Sequence, residues 1–425
     1  MNDRIVVTGT GLISSLGHTA RETWDALLSG RSGIQPIHDF DASGFDCRVA
    51  AQVNGLDPAG LEIHPRDSRI MDKHSVMLMK CAHDAYAQAG IAGRDIPGEE
   101  IGLFAGMGMV DYKVDDLLPA VLKSRDSHGN FSYERFFSAG YQEIYPLWPL
   151  SMLNNISFCQ VAISLDIRGE NAVFSPHADS GVQAIAEAVE VLINKRAKVV
   201  IAGGVSEKVS PSSLARAHLS HTLNTKDSDH EHPCRSFGAD RKGTVQGEGC
   251  GMITLELKSS ADELGIPYSA MIAGYGSSFG IDEDYSAPST GAITRSMLAA
   301  MEKAGTDAED IDVIVANGDG TRRGDANEME AVHTVFSDCI DTVTVYSSKS
   351  ALGHMYAGAP AVDVLLALYM IEHSVVPAVL TPEPLDEAIR FQLVRGAPLM
   401  KKSGRIMVNC QSYEGQCASL IIEAV

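Results

Sequence analysis

Basic residues are scarce in this chain. Thirty-four lysines and arginines face 55 aspartates and glutamates over 425 residues, a formal charge of -21. That balance argues against nucleic acid or an anionic membrane as a partner. It also means that an acidic carrier protein meets repulsion over most of the surface. Long apolar runs are lacking as well. The longest candidate, residues 361–371, is too short to cross a bilayer and contains Asp363. Residues 1–4 run directly into a strand, so no secretory leader is expected. The eight cysteines are scattered without a CxxC pair, so neither a metal site nor a disulfide framework is expected, and a reducing cytoplasm fits. A dinucleotide fingerprint is missing too. The strand over 4–11 carries Gly9-Thr10-Gly11, but Ser14 stands where the third glycine belongs. No cofactor is expected.

Against those absences stands one informative stretch. Asn171-Ala172-Val173-Phe174 is short and apolar enough for a buried strand. From Gly181, Val182, Ile185, Ala188, Val189 and Leu192 recur at helical spacing. Between them lies the small-residue turn Ser175-Pro176-His177-Ala178-Asp179-Ser180. A strand that turns tightly into a helix lifts one side chain to the helix N-terminus, where free N–H groups and the dipole favour negative charge. Nucleophiles are placed there because an anion is stabilised. Here the crest residue is Ala178, and a methyl group cannot attack a thioester.

The rest of the chain alternates strands and helices, with an internal repeat. Residues 311–318 resemble 101–106, 344–350 with 361–366 resemble 172–192, and 405–409 answer 197–202. This predicts two doubly wound α/β halves about a pseudo-twofold, cut near residue 258 into 1–258 and 259–425. A site then falls at the strand ends where the halves meet. A long helix is expected over Asp67–Gly90, with a methionine-rich inward face. Residues 120–145 read as polar and mixed, a surface excursion. Trp148 is pinned between Pro146 and Pro149, in an extended segment from which it could reach a neighbour.

Several motifs together carry a family likeness over nearly the whole chain. They are Val7-Thr8-Gly9-Thr10-Gly11, Ala202-Gly203-Gly204, Gly247-Glu248-Gly249, Asn317-Gly318-Asp319-Gly320-Thr321 with Gly324-Asp325, and Lys349-Ser350 with Gly353-His354. The chain resembles the elongating β-ketoacyl-acyl-carrier-protein synthases of the thiolase superfamily. The resemblance implies a thiolase-like fold, with two pseudo-symmetric doubly wound α/β halves in a five-layer arrangement. It also implies a cysteine nucleophile and two histidines, which stabilise the enolate and oxyanion formed from a malonyl group. Three positions depart from it. Ala178 replaces the cysteine, Asp319 replaces the first histidine, and Ser412-Tyr413-Glu414-Gly415 replaces a Gly-Phe-Gly-Gly loop that supplies an oxyanion amide and a gate. Lys349 and His354 are retained.

These losses resemble a chain-length factor, the non-condensing ketosynthase β subunit of type II polyketide and polyene systems. That likeness implies a heterodimer with an active ketosynthase, which an acyl carrier protein reaches through the partner. Met109, Tyr112 and Trp148 become candidates for the tunnel wall. Two other readings stand beside it: a malonyl decarboxylase or altered acyltransferase using His354 with His177, and a pure scaffold subunit. Plain structural roles are the alternative for His177, Ser175, Ser180, Lys349 and His354. Asp325 and Glu328 read as structural ion pairs, and Arg69 and Lys73 as solvated charges.

Overall fold

A computed structural model describes residues 3–57, 71–111, 114–146, 148–149, 153–226 and 232–425. Ten strands build the frame. The first half contributes β1 (Ile5–Ser14), β2 (Ile101–Met107), β3 (Asn171–Phe174), β4 (Val199–Val205) and β5 (Gly249–Leu257). The second contributes β6 (Ala270–Phe279), β7 (Val313–Val315), β8 (Thr344–Tyr346), β9 (Arg405–Gln411) and β10 (Gln416–Ala424). The order is β3-β2-β4-β5-β1 in the first half and β8-β7-β9-β10-β6 in the second. Parallel and antiparallel neighbours fall in the same order in the two halves. β1 and β6 join them where Ile5 faces Ile272 and Val6 faces Met271. The repeat anticipated from 101–106, 172–192 and 197–202 is this topology.

Six helices cover the strands: α1 (Lys73–Gln88), α2 (Asn154–Ser164), α3 (Ser180–Ile193), α4 (Thr290–Ala304), α5 (Arg322–Val335) and α6 (Ala359–His373). Helices α3 and α6 lie between the two sets of strands and share one core with both. Helices α1 and α2 cover the outer face of the first half, and α4 and α5 that of the second. This is the five-layer thiolase-like arrangement. The buried faces explain the composition: α6 is apolar almost all round, as a helix enclosed on every side must be.

Small residues let the central layer close. A Cβ on Gly181 of α3 would stand 2.7 Å from the Ala357 carbonyl oxygen, and one on Gly204 of β4 only 2.3 Å from the same atom. These glycines serve close backbone approach, which any side chain would prevent.

Three local expectations change. The helix expected from Asp67 is described from Lys73, with the Asp72 side chain accepting the Ser75 N–H as its cap; residues 67–70 lie outside the described residues. The 120–145 excursion is largely helical, with turns at Val114–Lys123, Tyr133–Ser138 and Gly140–Glu143. It exposes Leu122, Phe137, Tyr141 and Tyr145, in keeping with its mixed composition. Lys73 is not a free surface charge: it bridges Asp39 at 2.7 Å and the fully buried Glu248 at 2.8 Å. Arg69 lies outside the described residues. Among the described residues, no helix is long and apolar enough to cross a membrane.

Candidate functional site

The strand–turn–helix around Ala178 forms as its small residues dictate. β3 ends at Phe174, Ser180 N–H donates to the His177 carbonyl at 3.1 Å, and α3 begins at Ser180. Asn154 at the head of α2 ties the turn down, donating to Ser175 Oγ at 2.7 Å and to the Gly108 carbonyl at 3.2 Å. Ser175 is thereby a turn residue, and Ser180 is buried in the first turn of the helix. The Ala178 methyl is buried at the head of α3.

Opposite it comes the loop between β9 and β10. The Ala178 N–H donates to Ser412 Oγ at 3.4 Å. Ser412 in turn donates to Glu414, whose other carboxylate oxygen is 3.4 Å from His177 Nδ1. Gly415 (φ 108°) closes the loop, its N–H donating to the Ser412 carbonyl at 2.8 Å. Burial pushes the Asp179 carboxyl up, and Glu414 adds to that. Glu207 is also raised by burial, against its 2.5 Å pair with Arg216 and with Glu414 contributing. The head of α3, with Asp179 at its cap, therefore has two further acids nearby, Glu207 and Glu414.

The Asn317–Asp325 turn sits at the end of β7. Asp319 is half-buried and accepts the Thr321 N–H at 2.8 Å, so its side chain closes its own turn. Glu328 on α5 accepts the N–H groups of Asn317 and Gly318, each at 2.8 Å. It is a backbone brace and not the ion pair expected. Burial pushes its carboxyl up to about 7. Asp325 accepts from Phe237 N–H at 2.7 Å and from Gly320 N–H at 3.1 Å, with Arg241 3.8 Å away. Burial and the neighbouring Asp319 hold it well above the usual carboxylate range.

Lys349 opens the short helix Lys349–Leu352 that follows β8. It is buried, 3.6 Å from the equally buried Asp363 of α6, and Ser348 Oγ donates to the same carboxylate at 2.5 Å. His354 is held by its backbone, its N–H on the Val245 carbonyl and its carbonyl accepting from Gly247 N–H. Its ring lies 4.5 Å from that of Tyr356. Burial, with Lys349 nearby, lowers its pKa well below the usual value, so the ring is neutral at pH 7. His177, Asp319 and His354 are not hydrogen-bonded to one another: Asp319 closes its own turn, and among the described residues Nδ1 of neither histidine has a hydrogen-bond partner. Among the described residues no cluster of acids, histidines and cysteines could hold a metal ion.

Two spaces adjoin the site. A small one of about 50 Å³ is lined by Met109, Pro176, Glu207, Arg216, Tyr356 and Glu414, among others. A cleft of about 400 Å³ opens past Asp319, Gln411 and Tyr413, and its walls include His218, His221, Lys226, Lys242, Arg322 and Arg323. Cations are thus gathered around one opening of an acidic chain. Met109 does border the site. Tyr112 lies outside the described residues. Trp148 is half-buried, its backbone N–H donating to the Tyr145 carbonyl at 2.9 Å. Sequence reasoning missed Ser412 and Glu414 as contacts of the crest, and Glu207 beside Met109. For Ser412 and Glu414 the only signal was the altered loop sequence itself; Glu207 had none.

This is the fold of the thiolase-like ketoacyl synthases. Family models agree: Beta-ketoacyl synthase, N-terminal domain, matches residues 2–261, and Beta-ketoacyl synthase, C-terminal domain, matches 269–382. The chain belongs to the beta-ketoacyl synthase family. It is 27% identical to 3-oxoacyl-[acyl-carrier-protein] synthase 2 of Coxiella burnetii over 426 residues, 99% of each chain. It is also similar to the solved ishigamide ketosynthase/chain length factor, with 25% identity, a TM-score of 0.86 and full coverage of both chains. A type II PKS acyl-carrier protein in complex with its ketosynthase has a chain of the same fold, with a TM-score of 0.84 at 21% identity and full coverage of both.

Proposed function

We propose that this chain is a non-condensing subunit, a chain-length factor that pairs with an active β-ketoacyl synthase and shapes the acyl tunnel at their shared interface. One observation carries the reading: the side chain at the head of α3 is the buried methyl of Ala178, where acyl transfer needs a nucleophile. The second machine part is altered as well. Asp319 stands where a neutral donor would stabilise an enolate, and a carboxylate opposes that charge. Support for pairing comes from β3. It lies at the end of the sheet with no strand beyond it among the described residues, and an open edge is a pairing surface. Met109 and Trp148 are the described candidates for setting tunnel length, and Tyr112 is the third. An acyl carrier protein approaches through the partner.

The test is reconstitution with a cysteine-bearing synthase. Alone, the chain is expected to form no acyl adduct and to condense nothing; together, the pair makes products of defined length. Trp148→Ala is expected to lengthen them and Met109→Trp to shorten them, because filling a packed cavity excludes further methylenes. Condensation by the isolated chain overturns the reading. Unchanged lengths in both variants point to a scaffold. Carbon dioxide release from a malonyl thioester, lost in His354→Ala, points to a decarboxylase.

A further inference from the structure

Loss of the nucleophile does not account for everything at the head of α3. The Ala178 N–H, at the head of the helix, already donates to Ser412 Oγ at 3.4 Å. Ser412 is almost wholly buried, with no room to swing away without displacing its neighbours. It is fixed by donating to Glu414, whose other carboxylate oxygen lies 3.4 Å from His177 Nδ1 without a hydrogen bond to it. The run Ala178–Ser412–Glu414 lies across the helix N-terminus and ends beside His177 of the same turn.

We infer that Ser412 and Glu414 form an internal plug that occupies the oxyanion position of this subunit, so that the site stays inactive toward acyl thioesters even when a nucleophile is restored. The inference rests on the non-condensing reading and gives it a second, independent cause. Two physical terms act together. The hydroxyl takes the hydrogen bond that a developing oxyanion needs. The Glu414 carboxylate puts a negative charge where the thiolate and the oxyanion would also be negative, with Asp179 and Glu207 close enough to feel it.

The reaction at issue is simple acyl transfer. A thiolate at position 178 attacks the thioester carbonyl carbon, and a sulfur–carbon bond forms. The carbonyl oxygen carries the negative charge in the tetrahedral intermediate. Collapse breaks the bond to the leaving sulfur, which departs as a thiolate and takes a proton from solvent. Alkylation of the same thiol by iodoacetamide is a direct displacement of iodide and forms no oxyanion. The two reagents therefore separate access from oxyanion stabilisation.

Ala178→Cys alone is compared with Ala178→Cys combined with Ser412→Gly and Glu414→Gly, using octanoyl-N-acetylcysteamine and iodoacetamide, with intact-mass and peptide-mass readout. The single variant is expected to take up iodoacetamide at position 178 but to form almost no octanoyl adduct. The combined variant is expected to alkylate at a similar rate and to acylate about a hundredfold faster. Equal acylation in the two overturns the plug. So does failure of both to acylate while both alkylate, because something else then blocks the chemistry. A thiol that neither reagent reaches in either variant also overturns it, since access would then be the barrier. Octanoylation of the unaltered chain is a separate result: it sinks the non-condensing reading and leaves the comparison between the variants intact.

Discussion

The two strand–turn–helix units of this molecule, β3 to α3 and β8 to α6, share a topology and differ in surroundings. β8 is buried along its length and flanked on its outer side by the short strand Gln392–Leu393. The residues that follow it, Ser347 to Ser350, are all buried, and Lys349 is matched by Asp363. β3 has no outer neighbour among the described residues, and its four residues are exposed or half-exposed. One unit is an internal strut. The other faces outward and holds the head of its helix toward the site. Both helices belong to the central core, but the second unit is closed in from its strand onward, whereas the strand of the first is left open at the edge that the proposed pairing would use.

Lys349 should break that comparison most sharply if it is wrong. Lys349→Ala strands the Asp363 carboxylate in the core, and breaking one partner of such a buried pair costs about 3–5 kcal/mol. Urea unfolding should show a lower midpoint with little change in slope. Lys349→Met combined with Asp363→Leu should recover most of the loss, because a buried pair replaced by apolar groups is often nearly neutral. A mild effect of the single change would mean that this turn is no strut.

Much of this architecture is legible in the amino-acid sequence. The apolar strands and the helical spacing after Gly181 mark the repeat, because period-two and period-3.6 patterns follow directly from which faces are buried. Ala178 at the crest is readable for the same reason. Glu328 looks like an ion-pairing residue in the sequence because the N–H groups it braces are backbone, and backbone partners leave no trace there. Lys73 looks solvated because Asp39 and Glu248 are far from it along the chain. The Ala178–Ser412 contact depends on how a hairpin loop folds over a helix from the other half, which no local pattern encodes.

Glu328 gives the next largest effect. It braces the turn after β7, whereas the matching turn after β2 has Gly108 packed on the Glu207 backbone. Its carboxyl is raised from 4.5 to about 7 in the folded protein. Below about pH 4.5 it is protonated in both states and imposes no penalty. As pH rises to about 7 the unfolded chain releases the proton first, so stability falls, by about 3 kcal/mol across that window. The difference between wild type and Glu328→Gln should carry this slope: wild type weakens from pH 4.5 to 7, and the variant lacks that contribution. A constant difference across the window would remove the account.

The open edge of β3 should respond in association and not in folding. The Leu103 N–H donates to the Glu170 carbonyl, and strand alternation then turns the backbone of Val173 away from β2. Val173→Pro removes an outward N–H without cutting the inner ladder. Its melting temperature should fall only slightly, while affinity for the active synthase falls about a hundredfold, close to 2.7 kcal/mol. Sedimentation of the mixed subunits reads the second quantity. Unchanged affinity would mean that the partner sits elsewhere.

The smallest effect belongs to the crest itself. Ala178→Gly deletes one buried methyl at the very start of α3, where a helix tolerates glycine better than in its interior. The cost should stay below about 1 kcal/mol. In the reconstituted pair neither rate nor product length should change, since the methyl performs no chemistry and Ser412 still engages the backbone N–H. Lys349 lies in the buried segment that follows β8 in the other half, and the contrast between its replacement and this one is the sharpest form of the comparison. Equal losses at the two positions would make the outward-facing turn as structural as the buried one. A change in rate at Ala178→Gly would mean that the head of α3 still takes part in the reaction of the pair.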